Sequence, residues 1–331
     1  MKIIIAALMI ASIACLMLAP GCGKPARAEK LSLGVYPSEM SAPIFIAAAR
    51  GYFADNGLDV SIKRYDSGVT AVKGLLDGEV DVATAAEFVF ASDSFDHQDL
   101  RVLVSVDEVD TIQFVARKDR GITGVVDLRG KKVAVTPGSQ AEYFLAKSLD
   151  DVDFSLADIQ RVDLDPESLQ EAIAGGAVDA AVTWEPIVHS IEDRLGANGV
   201  TWSAQSGRRF YWTLIATDRL TRERSDVVDR LLRSVVAADR FANENETASK
   251  EIVVKATNLE PAYLDYVWPK HIFAVSLDQV MLVAMEEEAR WHVSTGLAGA
   301  TAIPDYLERI YFKGLEAVDP SVIGIVHPGE K

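Results

Sequence analysis

Cysteine is nearly absent from this chain. Its two cysteines, Cys15 and Cys22, both lie in the first 22 residues, and none follows. A disulfide framework, a thiol nucleophile and a cysteine-ligated metal centre are therefore excluded for the body of the protein. Histidine is also scarce: His97, His189, His271, His292 and His327 are scattered, and no H-E-x-x-H is formed. Glu288 and His292 stand one helical turn apart, but a lone pair makes a poor metal site. Glu286 to Glu288 read as a solvated helix face, and no metal or cofactor is expected. The nucleophile elbow G-x-S-x-G is missing too, so catalysis is not expected. Lys and Arg number 33 against 49 Asp and Glu, a formal charge of −16. That balance speaks against nucleic acid or an anionic bilayer surface as a partner. After residue 22 no apolar run is long enough to cross a bilayer.

What is present begins with a leader. Met1-Lys2 is followed by Ile3 to Ala19 without charge, ending in Ala19-Pro20-Gly21-Cys22. These are the parts of an export signal. A cysteine directly after small residues resembles the lipobox of bacterial lipoproteins, in which the leader is cut before a cysteine that then carries acyl chains. Residues 1–21 are thus expected as signal peptide and 22–29 as a lipidated tether, anchoring the protein through Cys22 in the periplasm or at the cell surface. Ala19 stands where that motif usually has Leu, and an ordinary signal peptide is the other reading.

The body says the same thing twice, about one hundred residues apart. GVYPSEMSAPIFIAAA (Gly34 to Ala49) is echoed by AVTPGSQAEYFLAK (Ala134 to Lys147), and GEVDVATAAE (Gly78 to Glu87) by GAVDAAVTWE (Gly176 to Glu185). A period of that size exceeds any solenoid unit and means two similar lobes with a cleft between them. Short apolar strands alternate with helices, which predicts an α/β fold of two doubly wound, parallel lobes. Thr111 to Ala116 reads as the fifth strand of the first lobe. Residues 30–117 are assigned to lobe 1 and 118–212 to lobe 2, and 213–331 return to lobe 1 as helices. Two crossings, near Arg117 and near Tyr211, would form a two-strand hinge.

Ligands of open α/β sheets bind beyond the carboxyl ends of the strands. Two loops there have the chemistry of an oxyanion cradle, Ser67-Gly68 and Gly138-Ser139, each just before a helix start. Both also read as plain helix caps. Trp184 either stacks on a flat ligand or fills the lobe interior. Glu185 and Glu87, in matching loops, either cap their helices or point into the cleft and favour an amine or N–H donor. Gln113, Gln140, Tyr143 and Tyr211 are neutral hydrogen-bonding candidates. Arg208 and Arg209 read as an exposed turn or as a countercharge to an anion.

DLRGKKVAVTPGSQAEYFLAK (Asp127 to Lys147), AIAGGAVDAAVTWEP (Ala172 to Pro186), APIFIAAARGYFADNGLDV (Ala42 to Val60) and LLDGEVDVATAAE (Leu75 to Glu87) together resemble one family. It comprises the periplasmic solute-binding proteins of ABC importers for nitrate, sulfonates, taurine and the thiamine pyrimidine precursor. The resemblance implies a monomeric Venus-flytrap protein that closes on one small molecule and docks on a membrane permease. By matching position it implies Ser67, Gly68, Glu87, Ser139, Gln140 and Trp184 as ligand-lining. Glu87 departs from the small or neutral residues common there in sulfonate binders, which favours taurine or a pyrimidine over a simple alkanesulfonate or nitrate. A sensory subunit signalling to a membrane receptor and a pyrimidine-synthase-like enzyme are the alternatives.

Overall fold

The computed structural model describes residues 28–299 and 302–327. The expected leader and Cys22 lie outside the described residues. Eleven strands are described: β1 (Glu29–Val35), β2 (Leu58–Arg64), β3 (Val82–Ala86), β4 (Leu100–Val109), β5 (Gln113–Arg117), β6 (Lys132–Val135), β7 (Gln160–Asp163), β8 (Ala180–Thr183), β9 (Gly199–Ser203), β10 (Phe210–Thr217) and β11 (His271–Ile272). They form two sheets, in the orders β11-β4-β10-β3-β1-β2 and β7-β6-β8-β5-β9. The hydropathy pattern follows position. Central β3 is buried on both faces, whereas edge strand β2 alternates buried and exposed residues over much of its length.

Both sheets are mixed rather than wholly parallel. In the first, β10 runs antiparallel between β3 and β4. In the second, β5 runs antiparallel between β8 and β9. These two are the strands with which the chain enters each lobe from the other. A strand arriving from outside needs no right-handed helical return, so nothing obliges it to be parallel. Gln113–Arg117 therefore belongs to the second sheet, and the first crossing is Asp110 to Ile112, not near Arg117. The second crossing lies between Ser203 and Phe210, so Tyr211 is already part of the first sheet. Gln205 ties the crossings together. Its Oε1 accepts from Ile112 N at 2.8 Å, and its Nε2 donates to the carbonyls of Val109 (2.9 Å) and Arg208 (2.8 Å).

The chain beyond β10 packs helices onto the first lobe. The Ser225–Glu244 helix buries Val228, Leu231, Leu232, Val235 and Ala238, spaced as one stripe, against the Ala42–Ala49 helix. The Gln279–Ser294 helix lies against the Glu87–Asp93 helix. Among the described residues no helix is long and apolar enough to cross a membrane.

Candidate functional site

Each lobe brings one helix start to the same place. Ser67 caps the Gly68–Leu76 helix in a reciprocal box: its hydroxyl accepts from Thr70 N at 3.3 Å, and Thr70 Oγ1 accepts from Ser67 N at 3.1 Å. Ser139 precedes the Gln140–Asp150 helix, but its hydroxyl donates backwards to the Thr136 carbonyl at 2.6 Å. That helix start therefore has no side-chain cap from Ser139, and the Glu142 carboxylate in its first turn accepts from Gly138 N at 2.6 Å.

Between these helix starts lies a small cavity of about 30 Å³. Ser67, Gly68, Ser139 and Gln140 line it, with Tyr36, Trp184, Phe210 and Trp212 as aromatic walls. Trp184 Nε1 crosses from lobe 2 to donate to Tyr36 Oη at 3.1 Å, the rings meeting edge-on at 6.4 Å. Trp212 Nε1 donates to Ser41 Oγ at 3.1 Å. Burial, and next the Glu39 carboxylate, hold the Tyr36 phenol well above its ordinary range, so it stays neutral. Among the described residues no charged side chain lines the cavity. Two helix starts among aromatic faces suit a compact anionic group carried on an apolar body.

Gly68 has a steric reason. A Cβ there would stand 2.9 Å from Ala85 Cα and 3.1 Å from the Trp212 ring. Gly68→Ala is expected to cost about 1–3 kcal/mol through overpacking. It should also narrow the cavity, and urea melts alongside solute titration would show both losses.

Glu87, Tyr143 and Tyr211 line a second interlobe cavity, open to solvent, which Gln140 shares. Successive residues of β10 face opposite ways, so Phe210 and Trp212 serve the first cavity and Tyr211 the second. Glu87 is buried; its Oε2 accepts from Tyr211 N at 2.8 Å, and burial pushes its carboxyl up to about 8. Glu288 is buried beside it, where Gln140 Nε2 donates to its Oε1 at 2.7 Å. This corrects the solvated face expected at Glu286 to Glu288 at Glu288 alone, since Glu287 is exposed and Glu286 half-buried. The pattern was present: Met281, Met285, Glu288 and His292 fall at spacings of four, three and four on one buried stripe. His292, expected as a surface contact, stacks on Phe88 at 4.9 Å, and burial pulls its pKa down to about 4. Tyr143 packs on Phe88 and Trp291 across the lobe boundary.

Glu185 and Gln113 are brought together, but neither lines the first cavity. Glu185 is fully buried and accepts from His189 N at 3.0 Å, in its own helix. Its Oε1 lies 3.5 Å from both Gln113 Nε2 and Lys270 Nζ, the latter reaching over from lobe 1. Burial raises the Glu185 carboxyl to about 7, and Lys270 opposes the rise. Glu185 thus joins the lobes rather than reading a ligand in the first cavity. Arg209 donates to the carbonyls of Glu108 and Lys270, and Arg208 lies 3.8 Å from Asp151. Neither supplies a countercharge in the first cavity. Sequence reading missed Tyr36, Phe210 and Trp212. Tyr36 could have been found, because it ends the apolar run of β1 just before a strand-end loop.

A family model described as NMT1/THI5 like matches residues 39–248. A Bacillus subtilis protein provisionally named an aliphatic sulfonates-binding protein is 27% identical over 280 residues, 76% of this chain and 82% of its own. The taurine-binding periplasmic protein of Escherichia coli is 25% identical over 167 residues, 50% of this chain and 52% of its own. The alkanesulfonate-binding protein SsuA of Xanthomonas axonopodis pv. citri, solved bound to MOPS, superposes with a TM-score of 0.75. It is 18% identical, over 86% of this chain and 99% of that one. The two-lobed architecture is accordingly that of a periplasmic binding protein. The match takes in the whole of lobe 2 and much of lobe 1, and this chain belongs to the NMT1/THI5-like family.

Proposed function

We propose that the chain is the extracytoplasmic solute-binding subunit of an ABC importer. Its lobes close on a small organic anion of the sulfonate class and present it to a membrane permease. The observation that carries this reading is the first cavity: two helix starts, one from each lobe, meet between aromatic walls, and among the described residues no charged side chain lies between them. Such a cradle favours an anion only when both lobes contact it, which couples binding to closure. Ser67, Gly68, Ser139, Gln140 and Trp184 are its ligand-contacting residues, with Tyr36 and Trp212. Glu185 and Gln113 act in closure. Binding rather than catalysis is the output, in keeping with the binding proteins named above. In the mature protein Cys22 is acylated and holds the monomer at a membrane.

A thermal-shift panel of taurine, alkanesulfonates, nitrate, bicarbonate, simple amines and pyrimidines tests the reading. A cognate solute at a thousand times its dissociation constant is expected to add about 4 kcal/mol, a shift of several degrees. A shift from pyrimidines alone, or from none of the sulfonates, would overturn the ligand class. Intact-mass analysis of the membrane-extracted protein checks the acyl chains on Cys22.

A further inference from the structure

The second interlobe cavity poses a problem that the first does not. Glu87 and Glu288 are each 1% exposed, and after burial itself the nearby Glu87 carboxylate disfavours ionisation of Glu288. Burying a carboxylate is tolerated when a cation or a proton accompanies it. Among the described residues no Lys, Arg or His forms an ion pair with either one. Arg208 and Arg209 line the same cavity but are turned to Asp151 and to backbone carbonyls. The hydrogen bonds that exist, from Tyr211 N and Gln140 Nε2, each satisfy one oxygen only. Glu87 Oε1, Glu288 Oε2 and Gln140 Oε1 are left buried without a partner. Three buried oxygens without a partner describe one half of a recognition site, and the proton that burial holds on the carboxyl pair leaves when a cationic donor takes its place. Glu108, Asp278 and Glu287 line the outer part of the cavity, adding negative potential along the approach.

We infer that this cavity takes the ammonium group of an amine-bearing solute, held between Glu87, Glu288 and the side-chain carbonyl of Gln140. The three N–H donors of a primary ammonium match the three waiting oxygens. Two of those oxygens belong to lobe 1 and one to lobe 2, so the ammonium group draws the lobes together. Gln140 lines both cavities. An acid and an amine a few bonds apart in one solute would therefore meet at this residue. The inference rests on the proposed sulfonate reading for its choice of zwitterion, while the ammonium site itself stands on the three oxygens.

Calorimetric titration of taurine against isethionate, which replaces the amine by a hydroxyl, tests the inference with the full protein. Taurine is expected to bind at least tenfold tighter, and that ratio should collapse toward one in Glu288→Gln and in Gln140→Leu. Two variants from different lobes guard against a folding defect in either. Equal affinity for taurine and isethionate would overturn the ammonium site and leave the proposed function standing. If neither sulfonate binds, the proposed function fails, and methylammonium chloride decides the site. Stabilisation beyond that of equal sodium chloride, lost in both variants, upholds it, and no such excess overturns it.

Discussion

The folded protein should melt several degrees higher at pH 5.5 than at pH 8. Burial raises Glu87 to about 8, Glu185 to about 7 and Asp239 to about 7. Each folded-state value lies above that of the unfolded chain, so the fold holds protons that the unfolded chain has already released. The stability linked to those protons is full below the ordinary carboxyl range near 4 and is lost as pH rises through 7 to 8. Summed over the three groups and discounted for their partial contact with solvent, the loss is on the order of 4 kcal/mol. His292, lowered to about 4, opposes the gain below its ordinary value near 6.5, but one group against three leaves stability rising until the carboxyls approach their ordinary range near 4. Calorimetric scans at constant ionic strength across pH 4 to 8 should show the melting temperature rising toward the acid end, less steeply below about pH 6. A melting temperature that is flat or rises toward pH 8 would mean that the buried carboxyls are solvated or paired in solution.

Trp184→Ala should weaken solute binding about a hundredfold, corresponding to roughly 3 kcal/mol. The indole forms a wall of the first cavity and also hydrogen-bonds Tyr36 from the opposite lobe. Both contacts exist only when the lobes meet, so the loss should fall mainly on the closed, solute-bound form. The solute-free protein should lose far less than the 3–5 kcal/mol typical of a tryptophan removed from a core. Titration of the variant, paired with a melt of its solute-free form, separates the two. An equal loss in both would place Trp184 among the residues that build lobe 2.

The loop chemistry of the first cavity was legible because it is local. A hydroxyl and a glycine before a helix start announce themselves within three residues. Trp184 and Glu185 show where legibility stops. They are adjacent, just past the end of β8, yet they serve different sides of the lobe contact. One lines the cavity and the other joins Lys270, and nothing in a single loop says which. The partners of β10, β3 and β4, lie over one hundred residues earlier. With lobe 2 taken to run to residue 212, Phe210 and Trp212 could not be seen as walls contributed by lobe 1. Glu288 was misread for a different reason. One carboxylate on an otherwise apolar stripe looks like surface until Glu87 and Gln140 are placed against it.

The position of β10 also sets the order in which the molecule can come into being. Thr213 Oγ1 donates to the Ala85 carbonyl across 128 residues of sequence, and β10 fills the gap between β3 and β4. A nascent chain that ends anywhere before Phe210 has a first lobe whose sheet is split down the middle, with two raw edges. Lobe 2, whose strands are contiguous in sequence from β5 to β9, can complete itself first. Lobe 1 must wait for lobe 2 to be synthesised and for the chain to return. Such long-range closure is slow, and an exported chain gains from the delay, since it remains threadable until nearly all of it has been made.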